Sequence, residues 1–353
     1  GTPSAGAPSA GVAGALVAGG GSGGAASGAG GSAAGGKNTA GGGVGGGANF
    51  GGSAGLAGRG GAGGSGGTAG GPGTAGSAGA NTAGQSGKGL AGDPVKSAGC
   101  GKTSWPMSKM GNTISINGEN RTYHLRLPEN YDTNRPYRLM LSFHWLGGTA
   151  NEVANGGTGT VGTPYYGLWN LAENSTIFVA PQGLNNSWPN ESKNVEFARS
   201  LITQLSNELC VDTKRVFSQG FSMGGSMSYA VACALGTMVR AVAVYGGGPM
   251  SGCKAGHSDP VGYLMVHGTN DNVCTYPGYG VPQLNDFAQV NGCMPKQMPT
   301  PTGQDKGTCV DFEGCKAGYP TRGCVHTGQH TPSPPNAKNT WVPAEAWKFF
   351  SQF

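Results

Sequence analysis

Ser222 stands between Gly220 and Gly224 in the stretch RVFSQGFSMGGSMSYAVACAL, residues 215–235, where an alternating apolar run gives way to one rich in alanine and methionine. Val216, Phe217 and Phe221 suit a buried strand, and the segment from Met223 to Leu235 lacks proline and suits a helix. A serine at such a corner is held in a strained backbone conformation, and glycines two residues to either side leave room for the sharp turn. The first N–H groups of the helix then point at the serine and can hold a developing oxyanion. The chemistry this predicts is nucleophilic acyl transfer. In a chain with 71 glycines the G-x-S-x-G pattern also arises from composition, as it does in the first hundred residues, so the flanking strand and helix set Ser222 apart.

A serine nucleophile needs a base within hydrogen-bond reach and a carboxylate that orients the base. In hydrolases with this elbow the three follow in the order Ser, Asp or Glu, His. Asp271 comes directly after the apolar run GYLMVHG, in HGTND, at the loop position expected of the acid. His330, in GQHTPSPP, lies in a Gly- and Pro-rich loop before the last helical segment, where a base can reach across. Ser222, Asp271 and His330 are therefore the candidate catalytic triad. Asp271 also suits a turn cap beside Asn270 and Asn272. Asp259 precedes its strand and falls at the wrong edge of a sheet, His267 comes before the acid, and His326 within GCVHT points along a strand. The oxyanion hole needs only backbone: the N–H of Met223, and one from the loop after LMLSFH, with Leu146 as the first choice and Trp145 as the second.

The elements that must position these groups follow from hydrophobic period. NTISINGENRTYHLRLPENY reads as a hairpin around Asn117-Gly118. YRLMLSFH, TIFVAPQGL, RAVAVYGG and GYLMVHG read as buried strands, and YYGLWNLAENS, VEFARSLITQLSNEL, QLNDFAQVNGC and PAEAWKFFSQF as helices. Short apolar strands alternating with helices predict an α/β fold with a mostly parallel sheet covered on both faces. Ligand sites of such sheets gather beyond the carboxyl ends of the strands, which here means after His144, Phe221 and His267.

Composition divides the chain. Residues 1–99 are almost entirely Gly, Ala, Ser and Thr and cannot bury enough apolar surface to offset chain entropy, so they read as a disordered linker or tail. Residues 100–353 hold all 6 tryptophans and all 9 cysteines and fit one large domain. The net charge of +5 is spread over both parts without a basic run, which argues against nucleic acid as a partner, and no apolar stretch is long enough to span a membrane. The cysteines show neither C-x-x-C pairs nor histidines at ligand spacing. They predict disulfides and an oxidising, extracytoplasmic compartment rather than a metal site. Serine acyl transfer requires no metal and no organic cofactor.

The domain resembles the secreted feruloyl esterases of carbohydrate esterase family 1, the fungal type B-like group, related to acetylxylan esterases and extracellular polyhydroxybutyrate depolymerases. The residues that carry the resemblance are GCGK at 99, RLPENYD at 126, FHWLGGT at 143, YYGL at 165, FVAPQGL at 178, LCVDTKRVFSQGFSMGGSMSYAVACA at 209, HGTND at 267, NGC at 291, GQHTP at 328 and WKFFSQF at 347. FHWLGG departs from the commoner His-Gly start of the oxyanion loop, and the glycine-rich tail has no counterpart in that group. The resemblance implies an α/β-hydrolase fold, the same triad, and hydrolysis of feruloyl (hydroxycinnamoyl) esters on the arabinose side chains of plant xylan; a monomer is expected. It also implies, together with position, disulfides Cys293–Cys315, Cys233–Cys253 and Cys100–Cys210. Cys309 and Cys324 flank a hairpin and can form a fourth. Cys274 is left as the odd thiol, a small buried hydrophobe. Trp145 and Trp188, near strand ends, are candidate stacking surfaces for a feruloyl ring, and each also suits the core. An acetylxylan esterase or polyhydroxyalkanoate depolymerase is the rival within the enzyme class. Outside it, the rival is a non-catalytic surface or adhesion module whose long tail is the functional part and whose hydrolase domain is a relic; for the secreted esterase the tail is a candidate cell-surface tether.

Overall fold

Strand β5 (Val211–Phe221) is the spine of the domain, because its side chains alternate between two separate cores. In the computed structural model, which describes residues 90–157, 159–189, 191–250, 257–336 and 338–353, Val216 joins one apolar cluster and Phe217 and Phe221 the other. The same alternation runs through β3 (Tyr137–Phe143), where Leu139 and Leu141 face one core and Met140 the other, and through β7 (Gly262–Gly268). A strand apolar on both sides has to be covered on both sides. Helices α3 (Glu191–Glu208), α4 (Met223–Ala234) and α5 (Val281–Val290) cover one face. Helices α1 (Ala150–Asn155), α2 (Leu168–Leu171) and α6 (Val342–Ser351) cover the other.

The remaining strands are β1 (Lys109–Ile116), β2 (Glu119–Arg126), β4 (Thr176–Pro181), β6 (Ala241–Tyr245), β8 (Thr308–Asp311) and β9 (Thr321–His326). They join one nine-stranded sheet in the order β1-β2-β4-β3-β5-β6-β7-β9-β8. Its interior from β4 to β9 is parallel, and antiparallel partners close both edges. The β1–β2 turn is the expected Asn117-Gly118, with φ of 51° and 81°, the left-handed pair that a two-residue hairpin of this twist demands. A register shift between Lys109 and Asn112 interrupts the β1 ladder.

Residues 90–99, grouped with the tail on composition, are laid against the domain. The Leu90 N–H donates to Gln352 O at 2.7 Å, the Ser97 N–H to Val211 O at 2.9 Å, and Lys96 bridges Asp212. Arg215 anchors this entry segment by donating to Gly92 O and pairing with Asp212, in a buried cluster of charge-assisted bonds. On the side of residues 90–99 these contacts are made by backbone, so the composition of that segment carries no trace of them. The expected disordered tail over residues 1–89 lies outside the described residues.

Cysteines pair as Cys100–Cys210, Cys293–Cys315 and Cys309–Cys324, and Cys274 is free. Cys233 is also disulfide-bonded, and its expected partner Cys253 lies outside the described residues. No helix among the described residues is long and apolar enough to cross a membrane.

His326, at the end of β9, is fully buried, its Nδ1 accepting from the Gly328 N–H at 3.0 Å. Burial, reinforced by the nearby His267, pushes its pKa down to about 4. The unfolded chain takes up this proton near pH ~6.5, so between that value and about 4 the unfolded state binds more protons. Stability is therefore expected to fall as pH drops through this window, by about 3 kcal/mol from His326 alone. Urea unfolding at pH 7 and pH 4.5 checks it: a smaller loss in His326→Gln is the expected result, and equal losses in both proteins would refute it.

Candidate active site

Ser222 sits at the carboxyl end of β5 with φ 55° and ψ −121°, the strained corner expected of an elbow. Three contacts enforce the strain. The Ser222 N–H donates to Tyr245 O at 2.9 Å, the Ser226 N–H returns to Ser222 O at 2.9 Å, and the Ser226 hydroxyl donates to the same carbonyl at 3.2 Å. The two flanking glycines are sites of close approach. A Cβ on Gly220 would lie 2.3 Å from Gly224 O, and one on Gly224 would lie 2.2 Å from Phe143 O and 2.7 Å from His144 O. No side chain fits there.

Gly224→Ala is expected to cost about 1–3 kcal/mol of stability. It should also lower kcat by about 10²–10³-fold by driving the loop after β3 off α4. Thermal melting beside ester turnover measures both, and a variant that keeps wild-type turnover would refute the tight apposition.

The acid and the base arrive on two loops laced together. The Thr269 N–H donates to His326 O at 2.7 Å, the Asn270 N–H to Gly328 O at 3.2 Å, and the Asn270 side-chain amide to Thr327 O at 2.7 Å. Asp271 is buried, 5% exposed, and its Oδ1 accepts the N–H groups of Val273 and Cys274, each at 2.8 Å. Its Oδ2 lies 2.7 Å from His330 Nδ1, and His330 Nε2 lies 2.9 Å from Ser222 Oγ. The Phe221 ring, 4.7 Å from the imidazole, closes one side. The three residues chosen from sequence order are brought together in one hydrogen-bonded chain, with the imidazole between hydroxyl and carboxylate.

His267 stands behind the acid. Its Nε2–H donates to Cys274 O at 2.6 Å and lies 3.6 Å from Asp271 Oδ2. Burial holds it below the ordinary imidazole range, so it stays neutral beside the carboxylate. The Cys274 thiol, half-buried next to Asp271, is pushed up to about 11, which keeps it protonated and unreactive. Asp259 precedes β7, at the far end from Ser222.

On the other side of Ser222, the loop after β3 has each of its first carbonyls held from within. The Tyr166 hydroxyl donates to Phe143 O at 2.7 Å, and the Trp188 indole N–H donates to His144 O at 2.8 Å. His144 Nδ1–H and the Gly148 N–H donate to Trp145 O at 2.7 and 3.0 Å. His144 Nε2 in turn accepts the Gly183 N–H at 2.9 Å, which fixes its tautomer. Because a trans peptide points its C=O and N–H in opposite directions, anchoring Trp145 O turns the Leu146 N–H away from the interior. Gly224, next to Met223 in the first turn of α4, abuts this loop at Phe143 O and His144 O.

Trp188 corrects the expectation of a stacking surface. It is fully buried, edge-on to Phe143 at 5.2 Å between ring centres, and its indole fastens the loop after β3 instead. Trp145 is half-buried, with its ring in the space left by Gly148 and Gly159. Sequence reasoning missed His144, Tyr166 and Trp188 as the groups that fasten the loop. The one available signal was that FHW sits at a strand end, where an unpaired carbonyl needs a donor.

Feruloyl esterase D of Neurospora crassa is 41% identical to this chain over 266 residues, 73% of this chain and 90% of that protein. Feruloyl esterase C of Emericella nidulans is 40% identical over 259 residues, 72% of this chain and 91% of that protein. The solved structure of an acetyl xylan esterase from Aspergillus awamori superposes with a TM-score of 0.52 at 15% identity, covering 69% of this chain and 99% of that one, a likeness of fold. No protein-family model matches the chain. With its α/β-hydrolase sheet, its elbow serine and this identity across nine-tenths of its relatives, the chain belongs to the feruloyl esterase family.

Proposed function

We propose that the protein is a secreted serine esterase that hydrolyses feruloyl esters of plant cell-wall arabinoxylan through an acyl-enzyme. The observation that carries the reading is the hydrogen-bonded chain from Asp271 Oδ2 through His330 to Ser222 Oγ at a strained elbow. His330 Nε2 takes the Ser222 proton as Oγ attacks the ester carbonyl. The carbonyl oxygen, now negative, is held by the N–H groups of Met223 and Leu146. His330 hands the proton to the departing sugar hydroxyl, leaving feruloyl-Ser222 and an alcohol. Water, deprotonated by the same nitrogen, then attacks the acyl-enzyme and releases ferulic acid. Asp271 keeps the Nδ1–H tautomer in place and stabilises the imidazolium as it forms.

Substrate class rests on the family, whose relatives at about 40% identity are named feruloyl esterases. Trp145, beside the oxyanion loop, is the aromatic candidate for the feruloyl ring. Disulfide use supports an extracellular protein, and the chain before residue 90 would serve as its tether.

The test is a substrate panel of methyl ferulate, p-nitrophenyl acetate and polyhydroxybutyrate film. Turnover of methyl ferulate with the highest kcat/KM is the expected result. Cleavage of acetate alone would keep the mechanism and discard the acyl group.

A further inference from the structure

On the outer edge of the sheet, β1 and α3 enclose a groove of about 590 Å³, within the size range of small-molecule sites. β1 lies four strand positions from β5, on the order of 20 Å from the elbow at about 4.8 Å per strand. One wall is the exposed ring of Trp105. The other is the face of α3 that carries Gln204 and Glu208, one turn apart and half-buried. Tyr123 and Asn112 form the floor, and Lys109 the rim.

We propose that this groove binds a chain of neutral sugars, as a second site outside the catalytic centre. Sugar rings present an apolar C–H face and a rim of hydroxyls that both donate and accept, which matches an indole plane opposite an amide and a carboxylate. A polyanion would meet Glu208, and a purely apolar ligand would strand the amide, carboxylate and ammonium groups.

Trp105 is exposed by construction. Five residues before it, Cys100 is bonded to Cys210. Three residues after it, the Ser108 hydroxyl donates to Leu125 O at 3.3 Å and accepts the Leu127 N–H at 3.2 Å. The ring is backed by Tyr131 at 5.6 Å, and the Tyr131 hydroxyl accepts the Cys210 N–H at 2.6 Å. A large aromatic held at both ends and still open to solvent costs little ordering on binding. Burial and the neighbouring Glu208 push the Tyr123 hydroxyl up to about 12, so the floor keeps a proton to donate. A polymer gripped here raises the local concentration of its ester groups at Ser222 without any change in the chemical step.

The experiment titrates the full chain with xylohexaose, which carries no ester, and compares Trp105→Ala with Glu208→Gln. Both variants are expected to bind about tenfold more weakly. Methyl ferulate turnover and melting temperature should stay at wild-type values, while release of ferulic acid from insoluble arabinoxylan falls several-fold. Using variants on opposite walls separates the site from a local folding defect in either. Several outcomes would overturn the proposal: wild-type protein that binds no xylohexaose up to about 10 mM, in the weak end of measurable affinity; unchanged binding in either variant; or binding abolished by sulfonylation of Ser222, which would place the sugar in the active site. A response to a casein digest, and none to xylohexaose, would make the groove a peptide site and would likewise overturn it.

Discussion

Ser222→Ala is expected to lower kcat for methyl ferulate by about 10⁴–10⁶-fold and to leave the fold intact. The substitution removes only Oγ, the atom 2.9 Å from His330 Nε2. It spares the bonds that make the elbow, since the Ser222 N–H to Tyr245 O and the Ser226 N–H to Ser222 O are backbone. The N–H groups proposed to hold the oxyanion also remain, so a residual rate over the uncatalysed reaction, about 10³-fold, should persist. KM should change little, because the hydroxyl acts mainly in the transition state. Ferulate release read by absorbance, beside a melting curve, measures both halves. A variant within tenfold of wild type would remove Ser222 from the mechanism, and sulfonyl fluoride labelling of another residue would show where the nucleophile lies.

Asp271→Asn comes next, with an expected loss of about 10⁴-fold in kcat. The carboxylate is committed on both oxygens: Oδ2 to His330 Nδ1 at 2.7 Å, and Oδ1 to two backbone N–H groups at 2.8 Å. An amide cannot serve both sides. If its NH2 faces His330, the imidazole must carry its proton on Nε2 and can no longer accept one from Ser222. If the amide flips, its NH2 opposes the Val273 and Cys274 N–H groups, and the loop loses two bonds at about 1 kcal/mol each. The first orientation loses activity at constant stability, whereas the second loses stability and keeps the Nδ1–H tautomer on a neutral acceptor, so melting and turnover together tell them apart. Asp259→Asn is the control. Equal losses in the two variants would undo the assignment of the acid.

The hydrogen-bonded arrangement of Ser222, His330 and Asp271 was legible because its signals are local and ordered. Gly220 and Gly224 mark the corner, Asp271 follows an apolar strand, and His330 sits in a Gly- and Pro-rich loop, each readable within a few residues. The layered sheet was legible for the same reason, since β3, β5, β6 and β7 are short continuous apolar runs. What the sequence withheld depends on contacts between distant segments. Trp188 stands in a polar stretch, SWPN, and only the packing of Phe143 and the need of His144 O for a donor make it core. YYGLWNLAENS read as one amphipathic helix. Tyr165 and Tyr166 instead take positive φ, 53° and 55°, so that the Tyr166 hydroxyl can reach Phe143 O, and only Leu168–Leu171 is α-helical. Residues 90–99 look like tail because glycine, alanine and serine are poor in side-chain signal, although Ala91 and Ser97 are buried.

The two antiparallel margins of the sheet bear on how the protein behaves when crowded. A parallel sheet ending in an open strand invites a second molecule to add its own, the first step toward fibrils. Here β1 is interrupted between Lys109 and Asn112, and β8 is only four residues long and stapled to β9 by Cys309–Cys324. Neither margin gives an incoming chain a long, flat row of free N–H and C=O groups to copy. The staple guards the more dangerous side, because the six residues of β9 behind it are buried throughout. Reducing that one bond would let β8 peel away and turn a core strand into an adhesive edge, so aggregation under reducing conditions should begin there before the domain as a whole has unfolded.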